Sequence, residues 1–409
     1  MMRRHTATLL TTLLLGVLLL GCNKPILVLE DDTGDGQGLG GNVPSGPDSY
    51  YDLAAGSHHT CAVLRGRLSC WGSNVDGQVG QDPLSSSQDV ATPVTPDTSR
   101  IWKQVACGNS HSCALTEAGQ VLCWGSNVYG QLGDGTTNAH HNPAQVDLPA
   151  RATAIRADGE HSCALLEEGD LYCWGRNGSG QLGQQDEADT NSLELSPVRL
   201  GTADQTFSAL FTGTEHTCAI SGGTLYCTGN NQLGQLGLGS GAPISRRRLT
   251  AIDEPRDFVA GAGSTQHSCA ITERNQLYCW GDSAYSGLGE DISARLISVP
   301  TRLPNPTAVD RVRLGPTGGC ALADRALYCW GSNSAGQLAL GKGVYEQDTP
   351  ALVDETIQVQ NAALGESHIC ALTTSGVVAC AGLNEHGEVG DGTLTQRWSL
   401  HTIAGQSLQ

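Results

Sequence analysis

Apolar residues along this chain come in short runs broken by Gly, Asn and Asp, and the runs themselves repeat. The string His-Ser-Cys-Ala-Leu recurs with small variations, its Cys falling at 61, 113, 163, 218, 269, 320 and 370. A period near 50 with Gly-rich punctuation marks an array in which each unit buries its apolar face against its neighbours. Every unit has the same order: a short apolar strand such as Cys113-Ala114-Leu115-Thr116, a tight turn, a second strand such as Gln120-Val121-Leu122-Cys123-Trp124, and a turn of the type Gly130-Gln131-Leu132-Gly133. After a polar loop of variable length come two more apolar runs, 144–148 and 152–157 in the second unit. Four short strands per repeat and nothing of helical period predict an all-β fold, a seven-bladed β-propeller with four short antiparallel strands per blade. Cys-Ala-Leu is continuous, not alternating, as strands covered on both faces by neighbouring blades require. The seventh unit stops one strand short, after 399–404, while Tyr50 to Gly56 has the pattern of the missing strand. The N-terminal strand is therefore expected to close the last blade and remove two open edges.

A second Cys follows the first in every unit by nine or ten residues, giving Cys61 with Cys70, Cys113 with Cys123, Cys163 with Cys173, Cys218 with Cys227, Cys269 with Cys279, Cys320 with Cys329 and Cys370 with Cys380. A spacing of nine leaves two-residue hairpin loops such as Arg65-Gly66 and Gly222-Gly223, which suit primed turns. A spacing of ten leaves three-residue loops with Gly119, Gly169, Asn275 and Gly376 where a left-handed residue is needed. Both geometries set the two Cys opposite each other at a non-hydrogen-bonded pair, about 4.5 Å apart at Cα, so seven disulfides within seven hairpins are expected. The rival is a set of zinc sites, because His59, His111, His161, His216, His267 and His368 each stand two residues before a Cys. The sixth unit has Gly318 there, so no metal and no cofactor are expected, and the His side chains are assigned to hydrogen bonds with nearby backbone. Cys107 is left over, aligns with Ala55 and Ala157, and reads as a buried small side chain, not a reactive thiol.

Charge and the first residues change the picture of where the chain works. Acidic residues outnumber basic ones 41 to 23, a balance that repels phosphate backbones and argues against nucleic acid as a partner. Sixteen Cys beside two Met point to an oxidising compartment. Residues 1–21 combine Arg3 and Arg4 with an apolar run from Ala7 to Leu20, the composition of a secretory signal. Leu19-Leu20-Gly21-Cys22 resembles the lipobox of bacterial lipoproteins, in which the Cys becomes the first residue and carries the lipid, so Cys22 is the candidate lipidation site. Residues 22–49 read as a Gly- and Asp-rich tether and residues 50–409 as the propeller. Within the tether, 31–36 imitate the start of a calcium loop, but the twelfth position is Asn42 and the bidentate carboxylate is missing.

The recurring His before an apolar strand, followed by Trp-Gly-x-Asn-x-x-Gly-Gln-Leu-Gly, resembles the regulator of chromosome condensation repeat family over about residues 50 to 405. Trp71, Trp124, Trp174, Trp280 and Trp330 hold the Trp position, Thr228 and Ala381 depart from it, and the final turn is altered at 286–289, 336–339 and 387–390. The resemblance implies a seven-bladed propeller used as a protein-binding platform. The family's nuclear exchange-factor role conflicts with the leader and the acidic charge, and a secreted binding protein fits them.

Gly178-Ser179-Gly180-Gln181-Leu182-Gly183 satisfies the dinucleotide pattern but lies inside the recurring turn with no long helix after it. Recurrent His and Asp are spread around a ring one blade apart, so no catalytic residues are assigned and the chain is not expected to be an enzyme. What varies is the loop after each Gly-Gln-Leu-Gly turn. Gln184 to Ser196, with Asp186, Glu187, Asp189 and Glu194, and Ser245 to Arg248, with Arg246, Arg247 and Arg248, supply the candidate binding residues. The expectation is a monomeric, lipid-anchored extracytoplasmic module of the bacterial cell envelope that binds another protein or a cell-surface polymer. The alternative is an envelope polysaccharide hydrolase or lyase with its site in the central channel, which carboxylates beside a basic residue there would favour.

Overall fold

The computed structural model describes residues 51–84, 88–184, 192–282, 284, 287 and 296–405. Cys22, the leader and the tether lie outside the described residues, as do Asp186, Glu187 and Asp189. Seven four-stranded antiparallel sheets form the ring. The first blade is β1 (Tyr51–Ala55), β2 (His59–Leu64), β3 (Arg67–Ser73) and β4 (Asp89–Val94), in that order from the axis outward. The second is β5 (Trp102–Cys107), β6 (His111–Thr116), β7 (Val121–Gly125) and β8 (His140–Gln145). Strands β9 to β24 build the next four blades the same way between Ala152 and Leu352. The seventh holds β25 (Val359–Leu364), β26 (His368–Thr373), β27 (Val378–Gly382) and β28 (Arg397–Thr402).

Closure differs from the sequence expectation. Strand β1 pairs with β2 as the inner strand of the first blade, and the seventh blade is complete without it. A repeat cut at His-Ser-Cys puts the inner strand of each blade at the end of the preceding unit, and the N-terminal strand then looks like the last blade's missing piece. Blades one and seven meet instead by packing of β1 against β25 and β26.

The hairpins follow from their turns. Arg65 and Gly66 have φ of 51° and 73°, Gly222 and Gly223 have 56° and 78°, and Asp324 and Arg325 have 49° and 64°, all left-handed as a two-residue primed turn demands. In the longer hairpins Asn275 takes the left-handed place at φ 59°. With these turns set, Cys61 faces Cys70 and Cys113 faces Cys123 in register, and so on around the ring. Seven disulfides result, from Cys61–Cys70 to Cys370–Cys380. Cα separations of 4.0 to 4.2 Å are those of closely spaced pairs.

Blades are joined by repeated contacts. The Trp71, Trp124, Trp174 and Trp280 indoles are fully buried and donate to the backbone carbonyl of the preceding blade's Gly-Gln-Leu-Gly turn, as Trp124 does to Gln78 O at 2.9 Å. Where Thr228 replaces Trp, its hydroxyl reaches Gly180 O at 2.9 Å and does the same task. Gly125, at φ 106°, has no room for a side chain, because a Cβ would stand 2.6 Å from Ser110 O.

The histidines take partners one blade away, not the nearby backbone the sequence suggested. Nε2 of His59, His111, His161, His216 and His368 bonds the hydroxyl of Ser112, Ser162, Thr217, Ser268 and Thr60 at 2.8 to 3.0 Å. His267 turns Nδ1 to Ser264 Oγ at 2.9 Å, since the sixth blade offers Gly318 and Gly319 in place of His and hydroxyl. The rings of His59, His111, His216 and His368 fill the space that a Cβ on Gly56, Gly108, Gly213 and Gly365, three residues before each, would need. Burial pushes the imidazoles down to about 3 for His59, His111, His161 and His267 and about 4 for His216 and His368.

Candidate functional site

Antiparallel order dictates which loops share a face. Each inner strand ends in the turn that carries the repeated Gly, and the third strand ends at the same level, so the turns after inner strands and the variable loops surround one mouth of the channel. The hairpin turns and both ends of the described ring, Tyr51 and Gly405, lie at the other face.

The channel is a cavity of about 360 Å³ lined by the inner strands of all seven blades, within the range of small-ligand sites. Much of its polar lining is spent on joints. Asp52 accepts from Val105 N and from Asn361 Nδ2, both at 3.0 Å, and Arg313 donates to Asn361 Oδ1 at 2.9 Å. Gln104 accepts from Ile155 N at 2.9 Å.

At the mouth the repeats stop repeating. The residues between inner and second strands run Ser57-His58, Asn109-Ser110, Gly159-Glu160, Thr214-Glu215, Thr265-Gln266, Pro316-Thr317 and Glu366-Ser367. Asp158 accepts from Gly159 N at 2.7 Å and Thr214 Oγ1 at 3.2 Å, and Thr214 is 2.9 Å from Thr265 Oγ1. Burial pushes the Asp158 carboxyl up to about 7 against those two hydrogen bonds. Glu160 receives Asn109 Nδ2 at 3.2 Å and Gln131 Nε2 at 2.5 Å, and burial raises its pKa as well. Glu215 holds Arg176 at 3.3 Å and Asn230 Nδ2 at 2.8 Å. His58 lies 3.4 Å from Glu366 and 3.4 Å from Glu388. Carboxyl groups therefore dominate this rim, with Arg176 and His58 among them.

The candidate binding residues are scattered relative to that mouth. Asp186, Glu187 and Asp189 lie outside the described residues. Glu194 sits at the start of β12 (Leu193–Leu200), where it accepts from Gln184 Nε2 at 2.8 Å. Arg246, Arg247 and Arg248 are not in a loop: they belong to β16 (Ser245–Ala251), the outer strand of the fourth blade. Arg247 donates to Gly178 O at 3.1 Å and packs on the Gly180 turn of the third blade, so it is a joint between blades. Their run of charge hid the strand, because an outer strand covers only the neighbouring turn and needs no apolar run. The mouth residues are not among the sequence candidates, and the signal that marks them is that they are the unrepeated positions just before the repeated His. Cys107 is the free cysteine among the described residues, buried, its thiol pushed up to about 12 by burial.

A closed ring whose repeated side chains serve its own joints, and whose unrepeated ones gather at one mouth, is a propeller scaffold for recognition. Residues 41–357 match the RCC1-like domain, and the chain belongs to that family. It is similar to the ultraviolet-B receptor of Arabidopsis thaliana, with 31% identity over 325 residues covering 76% of this chain and 71% of the receptor. It is likewise similar to the human regulator of chromosome condensation, with 30% identity over 350 residues covering 78% and 83%. Among solved structures, human WBSCR16 superposes with a TM-score of 0.73 at 22% identity, covering 83% of this chain and 94% of the other. Prp20p from Saccharomyces cerevisiae gives 0.72 at 22% identity, covering 83% and 86%. A receptor and a regulator on one scaffold share the fold and not one activity.

Proposed function

We propose that this chain is a lipid-anchored extracytoplasmic propeller of a bacterial cell envelope that binds a protein or surface polymer carrying basic groups. The observation that carries the reading is the mouth: there the repeated chemistry gives way to an unrepeated rim rich in carboxyl groups, Asp158, Glu160, Glu215 and Glu366. Non-repeated residues on a rigid ring are where specificity resides. Seven buried disulfides support an oxidising compartment, and the lipobox-like Leu19-Leu20-Gly21-Cys22 supports an anchor.

Capture from envelope extract tests this, with residues 50–409 as bait. Glu160→Gln with Glu215→Gln, and separately a Gly-Ser replacement of 185–191, should each abolish capture with little change in melting temperature. Capture should weaken as salt is raised, as rim charges dictate. Undiminished capture by both variants moves the binding face elsewhere.

One observation favours a channel hydrolase as a second reading: Asp158, with a carboxyl raised to about 7, lines the same cavity as Arg156. Turnover of envelope polysaccharide fragments that is abolished by Asp158→Asn would replace the binding reading with this one.

A further inference from the structure

The ring has one junction that the chain does not cross, between blades seven and one, and three departures from the repeat meet there. In five other turns the Gln of Gly-Gln-Leu-Gly is Gln78, Gln131, Gln181, Gln235 and Gln337. Its Oε1 accepts the backbone N–H two residues earlier, and Nε2 of Gln131 and Gln235 donates across the junction to Glu160 and to Thr265 O. Glu388 stands in this place in the seventh blade. Its Oε2 keeps the turn by accepting from His386 N at 2.9 Å. Its Oε1 therefore sits where a donor belongs, in a side chain 1% exposed, and accepts no hydrogen bond. A buried carboxylate oxygen without a donor calls for a cation.

Two histidines face it. His58, unique among the residues preceding the second strands, places Nδ1 at 3.4 Å from Glu388 Oε1. That is an ion-pair contact when His58 is protonated, and it also matches the edge, about 3.3 Å, of a tetrahedron with metal bonds of about 2.0–2.1 Å. His386 binds Asp89 Oδ1 through Nδ1 at 2.8 Å, which leaves the Nε2 lone pair for an ion, and its ring meets His58 edge-on at 5.3 Å. The donor atoms of His58, His386 and Glu388 all lie within 4.8 Å of one another. Asp89 on one imidazole and Glu366, 3.4 Å from the far nitrogen of the other, are the outer carboxylates that orient metal-bound histidines.

We propose that His58, His386 and Glu388 form a site for a divalent transition metal of the zinc class, which clasps the first blade to the seventh. Two imidazoles and a carboxylate are borderline donors that suit zinc over calcium or magnesium, and they leave a fourth position open. This site is separate from the His-Cys pattern of the sequence, whose cysteines are all in disulfides.

The test is calorimetric titration of the EDTA-treated full chain with zinc chloride, with cobalt(II) as the spectroscopic probe. The expected result is one ion per chain, a cobalt absorption band, and a melting temperature raised by zinc. Glu388→Gln installs the residue that five of the other turns carry, and His58→Ser the residue found at Ser110 and Ser367, so both variants keep the ring. Each should weaken zinc about tenfold or more and remove the thermal gain. The proposal is overturned if the wild-type chain takes up neither ion, or if both variants bind zinc as the wild type does.

Discussion

Mild acid should strip this ring of much of its stability while leaving its disulfides intact. Six buried imidazoles are neutral in the folded chain, with pKa values of about 3 to 4 in place of 6.5. Their folded values are depressed, so their contribution is whole above 6.5 and is lost as pH falls toward the folded values, because the unfolded chain takes up protons that the folded one refuses. Between pH 7.5 and 5.5 each costs about 1.3 kcal/mol, and the six together about 8 kcal/mol. Asp158 works the other way: its carboxyl is raised from 3.8 to about 7, and protonating it returns about 2 kcal/mol over the same interval. These seven groups together lose about 6 kcal/mol, comparable to the whole stability of many domains, and the raised pKa values of Glu160 and His58 trim that loss. Guanidinium unfolding under non-reducing conditions at the two pH values measures it. The folding midpoint should collapse at pH 5.5, and His111→Gln, whatever its own cost at pH 7.5, should reduce the pH slope by one proton. A midpoint that is the same at pH 7.5 and 5.5 would refute the reasoning.

Cys22→Ser should accumulate unprocessed precursor and abolish fatty-acid labelling; normal labelling of that variant sinks the anchor. Deletion through Gly56 removes β1, the axial strand of the first blade, and should destabilise the ring, whereas deletion of 1–49 should leave the melting temperature unchanged. Equal melting temperatures for the two truncations would mean that β1 contributes nothing to the ring. Non-reducing peptide maps of the folded domain should show hairpin links alone, with Cys107 alkylated only after denaturation, and a link between blades contradicts the register. Replacing Cys320 and Cys329 together by Ala should cost about 2–3 kcal/mol, the most that a short closed loop provides.

The hairpins were legible because a turn of fixed length sets an antiparallel register completely: a spacing of nine or ten residues between Cys, with Gly or Asn in the left-handed place, leaves the two sulfurs one arrangement. The seam was not legible for a reason of symmetry. A circular repeat reads the same wherever it is cut, and only the pairing of Tyr51 with Leu64 shows that β1 belongs to the first blade. The histidine partners could have been read from the dipeptide His-Ser or His-Thr. Adjacent residues of a strand point to opposite faces, so the His of one blade meets the hydroxyl of the next. Arg246 to Arg248 have the charge of a loop yet form an outer strand, which covers only the neighbouring turn and needs no apolar run. Glu388 was visible as an altered turn, and its meaning needed the position of His58, which is 330 residues away in sequence.

The stapled hairpins also bear on resistance to proteolysis. Arg65, Arg274 and Arg325 are exposed in hairpin turns, each a cleavage site of the trypsin type. Every such turn is spanned by its own disulfide, between Cys61 and Cys70, Cys269 and Cys279, and Cys320 and Cys329. A nick there opens one loop and leaves the polypeptide covalently continuous, with the strands on either side still in register. The loops around the mouth have no such staple among the described residues, so the same enzyme cutting there would sever an outer strand from its blade.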